Sequence, residues 1–148
     1  DGPGAGPGGG RMSIAAILLA LALQATLDAR AREHQCDDPQ NQHDMNACAG
    51  IDFERADAEL NAVWREAMAD ARAGDAEIDR RYDDRPTAED KLREAQRAWI
   101  VFRDAHCTVD AYAGARGGSM EPMLYQGCRA QLTRERVGQL RGPAAGEP

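Results

Sequence analysis

A chain of 148 residues carrying a formal net charge of −7 is long enough for one domain and too short for two self-sufficient cores. Its acidity argues against nucleic acid, because phosphate binding needs clustered Lys and Arg, and it disfavours an anionic membrane surface. Such a balance serves solubility or a basic partner.

Residues 1–25 read as a leader. A Gly- and Pro-rich stretch, Arg11 and Met12 precede ten apolar residues from Ile14 to Leu23. Ten is half of the roughly 20 needed to span a bilayer, but it suits the core of a secretory signal, with Ala22 and Ala25 as small residues for cleavage. A lipid anchor would need a cysteine directly behind this run, whereas Cys36 lies well beyond it. The expected product is a periplasmic or secreted protein without a stable membrane anchor once the signal is cleaved.

Export makes disulfides the expected state of the four cysteines, which allow three connectivities. Cys107 and Cys128 are equidistant from a helix break between Gly117 and Gly118. An antiparallel helical hairpin brings such positions to one level, as a bridge with Cα atoms roughly 4.4 to 6.8 Å apart requires. That pairing leaves Cys36 with Cys48 across a short polar loop. Each staple should contribute about 3 kcal/mol in the chain-entropy model.

The first helix is expected from about Asp44 to Arg72, on the period of Phe53, Ala56, Leu60, Val63, Trp64, Ala67 and Ala71. Gly74 would close it, and Gly50 could separate a short opening helix. A charged loop follows to Pro86, expected to be exposed and mobile. It holds Asp75, Glu77, Asp79, Asp83 and Asp84 among three arginines. Thr87 and Asp90 form a capping-box-like start to a second helix, whose stripe is Leu92, Ala95, Trp99, Phe102, His106, Val109 and Ala113. After Gly114, Gly117 and Gly118, Ser119 is the expected cap of a third helix, with Pro122 tolerated in its first turn. Leu124, Cys128, Leu132, Val137 and Leu140 form its apolar side, Gly142 and Pro143 end it, and 142–148 is expected to be a disordered tail. The fold class is therefore all-α: a small disulfide-stapled bundle of about three helices with antiparallel hairpins, over residues 36–141.

Three polar residues fall on faces that should be covered. At about 100° per residue, Gln96 and Arg103 flank Trp99 inside the apolar arc, and Asp57 borders the face of Leu60 and Trp64. A hairpin of the first two helices would bring Asp57 to the level of Arg103, which predicts a buried ion pair that sets register.

Catalytic chemistry is thin. The three histidines are His34 and His43 in the polar N-terminal segment and His106 beside Cys107. Cys36, His43 and Cys48 match no closed four-ligand zinc spacing. A disulfide-bonded Cys107 cannot act as a nucleophile, and side chains at i and i+1 of a helix point apart. The glycines near 114–118 follow a helix, not a strand, so they form a turn and not a phosphate loop. No catalytic residue, metal site or cofactor is expected.

Together, Asp57, Leu60, Asn61, Gln96, Trp99, Arg103, Asp104, Cys107, Gly118, Ser119, Met120, Cys128, Leu132, Thr133, Arg136 and Leu140 form a pattern that, with Met45 between Cys36 and Cys48, resembles the LprI-like N-terminal domain. That family is named for a mycobacterial lysozyme inhibitor. The resemblance covers about Cys36 to Arg141 and implies an exported bacterial helical domain acting by binding, with a basic lysozyme as its partner. The shared residues are those of staples, core and register, so they testify to fold. The acidic loop residues Asp75, Glu77, Asp79, Asp83 and Asp84 and the turn from Gly114 to Glu121 are the expected binding surfaces. The competing expectation is a structural or adaptor protein of the envelope.

Overall fold

Helix α1 (Gln42–Ala76) starts where Asn41 and Asp44 cap each other. The Asn41 side-chain oxygen accepts from the Asp44 N–H at 3.0 Å, satisfying a donor that a helix start leaves open, and the Asp44 carboxylate accepts from the Asn41 side-chain amide at 2.9 Å. The helix then runs unbroken through Gly50, so there is no separate opening helix. It also passes Gly74, which does not adopt the left-handed backbone of a terminating glycine.

In this computed structural model the described residues are 14, 15, 17–21, 23, 24, 26 and 36–142. They divide between two compact units, 1–38 and 39–148. In the first, the described residues from Ile14 to Thr26 are helical. The expected cleavage positions Ala22 and Ala25 and the expected tail from 143 onward lie outside the described residues. Among the described residues no helix is long and apolar enough to cross a membrane.

The second unit is all-helical. Helix α2 (Ala88–Ala115) opens with Thr87 Oγ1 accepting from the Asp90 N–H at 3.1 Å. A second cap comes from α1: the Asp75 carboxylate accepts from the N–H groups of Ala88 at 2.8 Å and Glu89 at 2.9 Å. Glu89 in turn joins Arg72 of α1 and Arg93 of α2, at 2.9 and 2.6 Å. The charged loop is thus tied at its base.

Gly117, at φ 74°, turns the chain into helix α3 (Glu121–Arg141). Gly114 allows a close approach there, because an added Cβ would lie 2.5 Å from Leu124 Cδ1. Ser119 is not the cap. Met120 holds that position without a side-chain bond, while the Ser119 carbonyl accepts from the Asn46 amide of α1 at 2.9 Å.

Cys107 and Cys128 are bonded, with Cα atoms 5.5 Å apart. Cys36 and Cys48 are each in the disulfide-bonded state too, and no cysteine is free. Helix α2 runs antiparallel to both neighbours. In contrast, α1 and α3 are parallel, since Asp52 pairs with Arg134 and Glu59 with Arg141 at the same 82-residue separation. Their interface is the most extensive of the three, and α1 meets α2 least. The apolar core is correspondingly small. Leu60, Val63 and Val137 form its centre with Trp99 and Leu140 against them, and buried Ala56, Ala111 and Ala130 let the helices approach closely.

One face departs from the sequence expectation. The covered side of α2 carries Gln96, Trp99, Arg103, Cys107 and Ala111, while Phe102, His106 and Val109 are exposed. Apolar periodicity marks a stripe on the helix, but the disulfide and the guanidinium decide which side turns inward. Cys107 and Arg103 lie four residues apart, and both must face α3.

Replacing Cys107 and Cys128 together by alanine should lower unfolding free energy by about 3 kcal/mol, the loop-closure entropy of a bridge of this span. Urea titration of the oxidised double variant beside the parent checks it; an unchanged midpoint would show that the hairpin needs no staple.

Candidate functional site

The interior of the bundle is built on charge. Arg103 of α2 lies with its guanidinium carbon 5.2 Å from the Phe53 ring of α1 and 5.0 Å from the Trp99 ring. Arg129 of α3 also sits over Phe53, 3.8 Å from the ring and 5.2 Å from that of Tyr125. Beyond Trp99, Arg136 approaches its ring at 5.9 Å. Three cations and three rings therefore alternate in one ladder, Tyr125, Arg129, Phe53, Arg103, Trp99, Arg136, which crosses all three helices.

Hydrogen bonds and one carboxylate complete it. Asp104 lies 2.9 Å from Arg103 Nε and 3.2 Å from Arg129 Nε. The second approach is too poorly aligned to count as a hydrogen bond, and the buried Arg129 Nε has none. Arg103 donates to Thr133 Oγ1 at 3.3 Å, and Arg136 Nε donates to Gln96 Oε1 at 3.0 Å. Burial pulls the Arg136 guanidinium below its ordinary value.

Asp57 is the expectation that changes. Its carboxylate stands 3.8 Å from Arg103, with the Arg103 side chain 6% exposed and that of Asp57 42% exposed. It also accepts from the Asn61 amide at 3.0 Å. Asp104 is the nearer partner. It follows Arg103 directly in the chain, and that adjacency disguised it, because neighbours on a helix ordinarily point apart. Here the long guanidinium side chain folds back to reach it.

The charged loop lies at the opposite pole of the chemistry: exposed, and tied by local bonds. Arg80 donates to the Arg85 carbonyl at 2.9 Å. Asp79 pairs with Arg81 and Asp83 with Arg85, at 2.6 and 2.7 Å. These partners hold both carboxyls below the ordinary carboxylate range. Asp75 is held low by the N–H groups of Glu89 and Ala88. Of the five acids expected to form a binding surface, three are thus engaged, and Glu77 and Asp84 make no ion pair among the described residues. At its tip is Tyr82, 88% exposed, with Arg81 5.8 Å from its ring. Periodicity had no use for this tyrosine, and its isolation in a charged run was the available signal. A shallow cleft of about 460 Å³ runs beneath the loop, lined by Ile78, Arg80, Asp83 and Lys91 among others.

The turn near Gly117 is exposed too, with Arg116 4.6 Å from the Tyr112 ring. His106 stacks on Phe102 at 5.4 Å between centroids. No group of three or more His, Cys, Asp or Glu among the described residues is placed to hold a metal ion.

Fold and surface together define a disulfide-stapled helical module that presents an aromatic-tipped charged loop. The chain belongs to the lysozyme inhibitor LprI family, whose model matches residues 35–140. A relative is an uncharacterised protein of Rhizobium meliloti (strain 1021), 42% identical over 134 residues, covering 88% of this chain and 94% of the relative. No solved structure matches the chain.

Arg103→Ala removes a buried side chain packed on Phe53 and Trp99 together with its hydrogen bonds to Asp104 and Thr133, so it should cost about 2 to 5 kcal/mol, as truncating a large buried side chain does. Asp57→Ala, losing a half-exposed partner, should cost about 1 kcal/mol or less. Equal losses in chemical denaturation would make Asp57 the true counter-ion. A pH series separates the loop anchor. A carboxyl whose folded pKa is depressed stabilises the fold above its unfolded value, near 3.8 for Asp75, and loses that effect as pH falls through the folded value. Asp75→Asn should therefore lower the melting temperature at pH 7 and flatten its decline below about pH 4. Parallel parent and variant curves would remove Asp75 from the account.

Proposed function

We propose that this protein is an exported, non-catalytic binding protein that inhibits lysozyme, with the loop 77–86 as its contact surface. Membership of the lysozyme inhibitor LprI family carries the reading. The physical chemistry of the chain agrees with it. Many lysozymes are basic and cleave through two carboxyl groups in an open cleft, and a domain of net charge −7 is steered towards such a partner. An exposed tyrosine surrounded by charge has the composition of a binding hot spot, an aromatic anchor inside a polar rim.

The work divides within the loop. Asp75 fixes its base, the Asp79–Arg81 and Asp83–Arg85 pairs hold its shape, and Glu77 and Asp84 supply the charge that remains available to a partner. Tyr82 is the group that would enter the cleft. Export to the periplasm or beyond belongs to the same proposal and is supported by the bonded state of all four cysteines.

Titrating the oxidised protein into a lysozyme assay at low and physiological salt should give saturating inhibition that weakens as salt rises. Tyr82→Ala should raise the inhibition constant about 30-fold, as a hot spot worth roughly 2 kcal/mol requires. Glu77→Gln with Asp84→Asn should act mainly on association rate and at low salt. Full inhibition by Tyr82→Ala would move the contact elsewhere, and no inhibition of several lysozyme classes would favour the envelope adaptor.

A further inference from the structure

Helix α2 has a second apolar face. Its inward side is occupied by Arg103, Cys107 and Ala111, all buried. On the opposite side Val101, Phe102 and Val109 are 70%, 56% and 68% exposed, with the small Ala98 ahead of them and Ala105 between them, also exposed. These positions recur at steps of three and four, so they form one stripe along the helix. Scattered exposed apolar residues are ordinary, but a contiguous stripe marks a contact surface.

The stripe is self-complementary. Glu94 stands at one end and Arg116 at the other, eleven residues either side of Ala105. If a second α2 is laid antiparallel with the two-fold axis at Ala105, Glu94 of each copy meets Arg116 of the other. Val101 then faces Val109 of the second copy, and Phe102 lies beside that same Val109. Ala98 faces the ring of Tyr112, a small residue against a large one. Ala105 meets its own equivalent at the axis, where a methyl side chain lets the helices close. The length of contact, about 33 Å at 1.5 Å per residue, suits a helix-pair interface. Within one copy, Glu94 pairs with Lys91 at 2.7 Å and Arg116 stacks on Tyr112. Both are surface contacts that leave the charges open to a further partner.

We propose that this face binds a second copy of the chain, two α2 helices pairing antiparallel about Ala105. The closed two-fold arrangement uses the same patch twice and leaves the loop 77–86 outside the paired stripe.

Sedimentation equilibrium of the oxidised full chain from 1 to about 200 µM tests it. The parent should show a monomer–dimer equilibrium, and Phe102→Asp should remain monomeric. Because Phe102 is exposed, circular dichroism should show an intact fold in that variant. Glu94→Arg turns both end contacts repulsive and should weaken dimerisation at least tenfold, while Glu94→Arg with Arg116→Glu should restore it to within threefold. A parent that is monomeric throughout overturns the proposal, as does a dimer that persists in Phe102→Asp or one whose charge variants do not compensate.

Discussion

The structure depends on burying guanidinium groups among aromatic rings. An ion taken into a protein interior loses several kcal/mol of hydration, and attraction to a partner seldom does more than offset that. Here Asp104 stands between Arg103 and Arg129, and Asp57 lies 3.8 Å from Arg103, but both carboxylates are partly exposed, so charge pairing alone does not offset the burial. The ring faces of Phe53, Trp99 and Tyr125 supply the rest, each desolvated cation–ring contact being worth about 1 to 2 kcal/mol. These magnitudes nearly cancel the desolvation. The ladder therefore contributes less to net stability than to uniqueness: a slip of one helix by a turn would leave a guanidinium without its ring and a carboxylate without its cation.

That constraint explains the rest of the packing. An apolar centre of Leu60, Val63 and Val137 is small for a bundle of three long helices, and buried alanines bring the backbones close enough for the ladder to form. The disulfide between Cys107 and Cys128 holds α2 and α3 together one turn from Arg103. Salt bridges on the outside, Asp52 with Arg134 and Glu59 with Arg141, repeat the same parallel register of α1 and α3. Among the residues that carry the resemblance, Trp99, Arg103 and Arg136 are rungs of the ladder, Gln96, Asp104 and Thr133 bond to them, and the four cysteines are the staples.

The loop is built by different means. Where the bundle is specified by long-range contacts, residues 77–86 are shaped by bonds between positions two to five apart. Its base is tied by longer-range contacts, where Asp75 accepts from the first N–H groups of α2 and Arg72 pairs with Glu89. A surface of that construction can change its tip without disturbing the core, which is the usual division between scaffold and binding loop.

The sequence by itself determined much of this protein. Helical period, the Thr87 cap and the glycines near 117 are local signals, and local signals survive without the fold. The equal spacing of Cys107 and Cys128 from a turn is a statement about hairpins, so it too was legible. Gln96 and Arg103 could be placed inside from periodicity alone. What only the tertiary structure decided was which side of α2 faces inward and how closely Asp57 of α1 would approach Arg103, which left Asp104 as the nearer counter-ion. The reason is common to both. A helix with two apolar stripes has two nearly equal ways to pack, and the choice between them rests on contacts between residues tens of positions apart, whose energies exist only once the chain has brought them together.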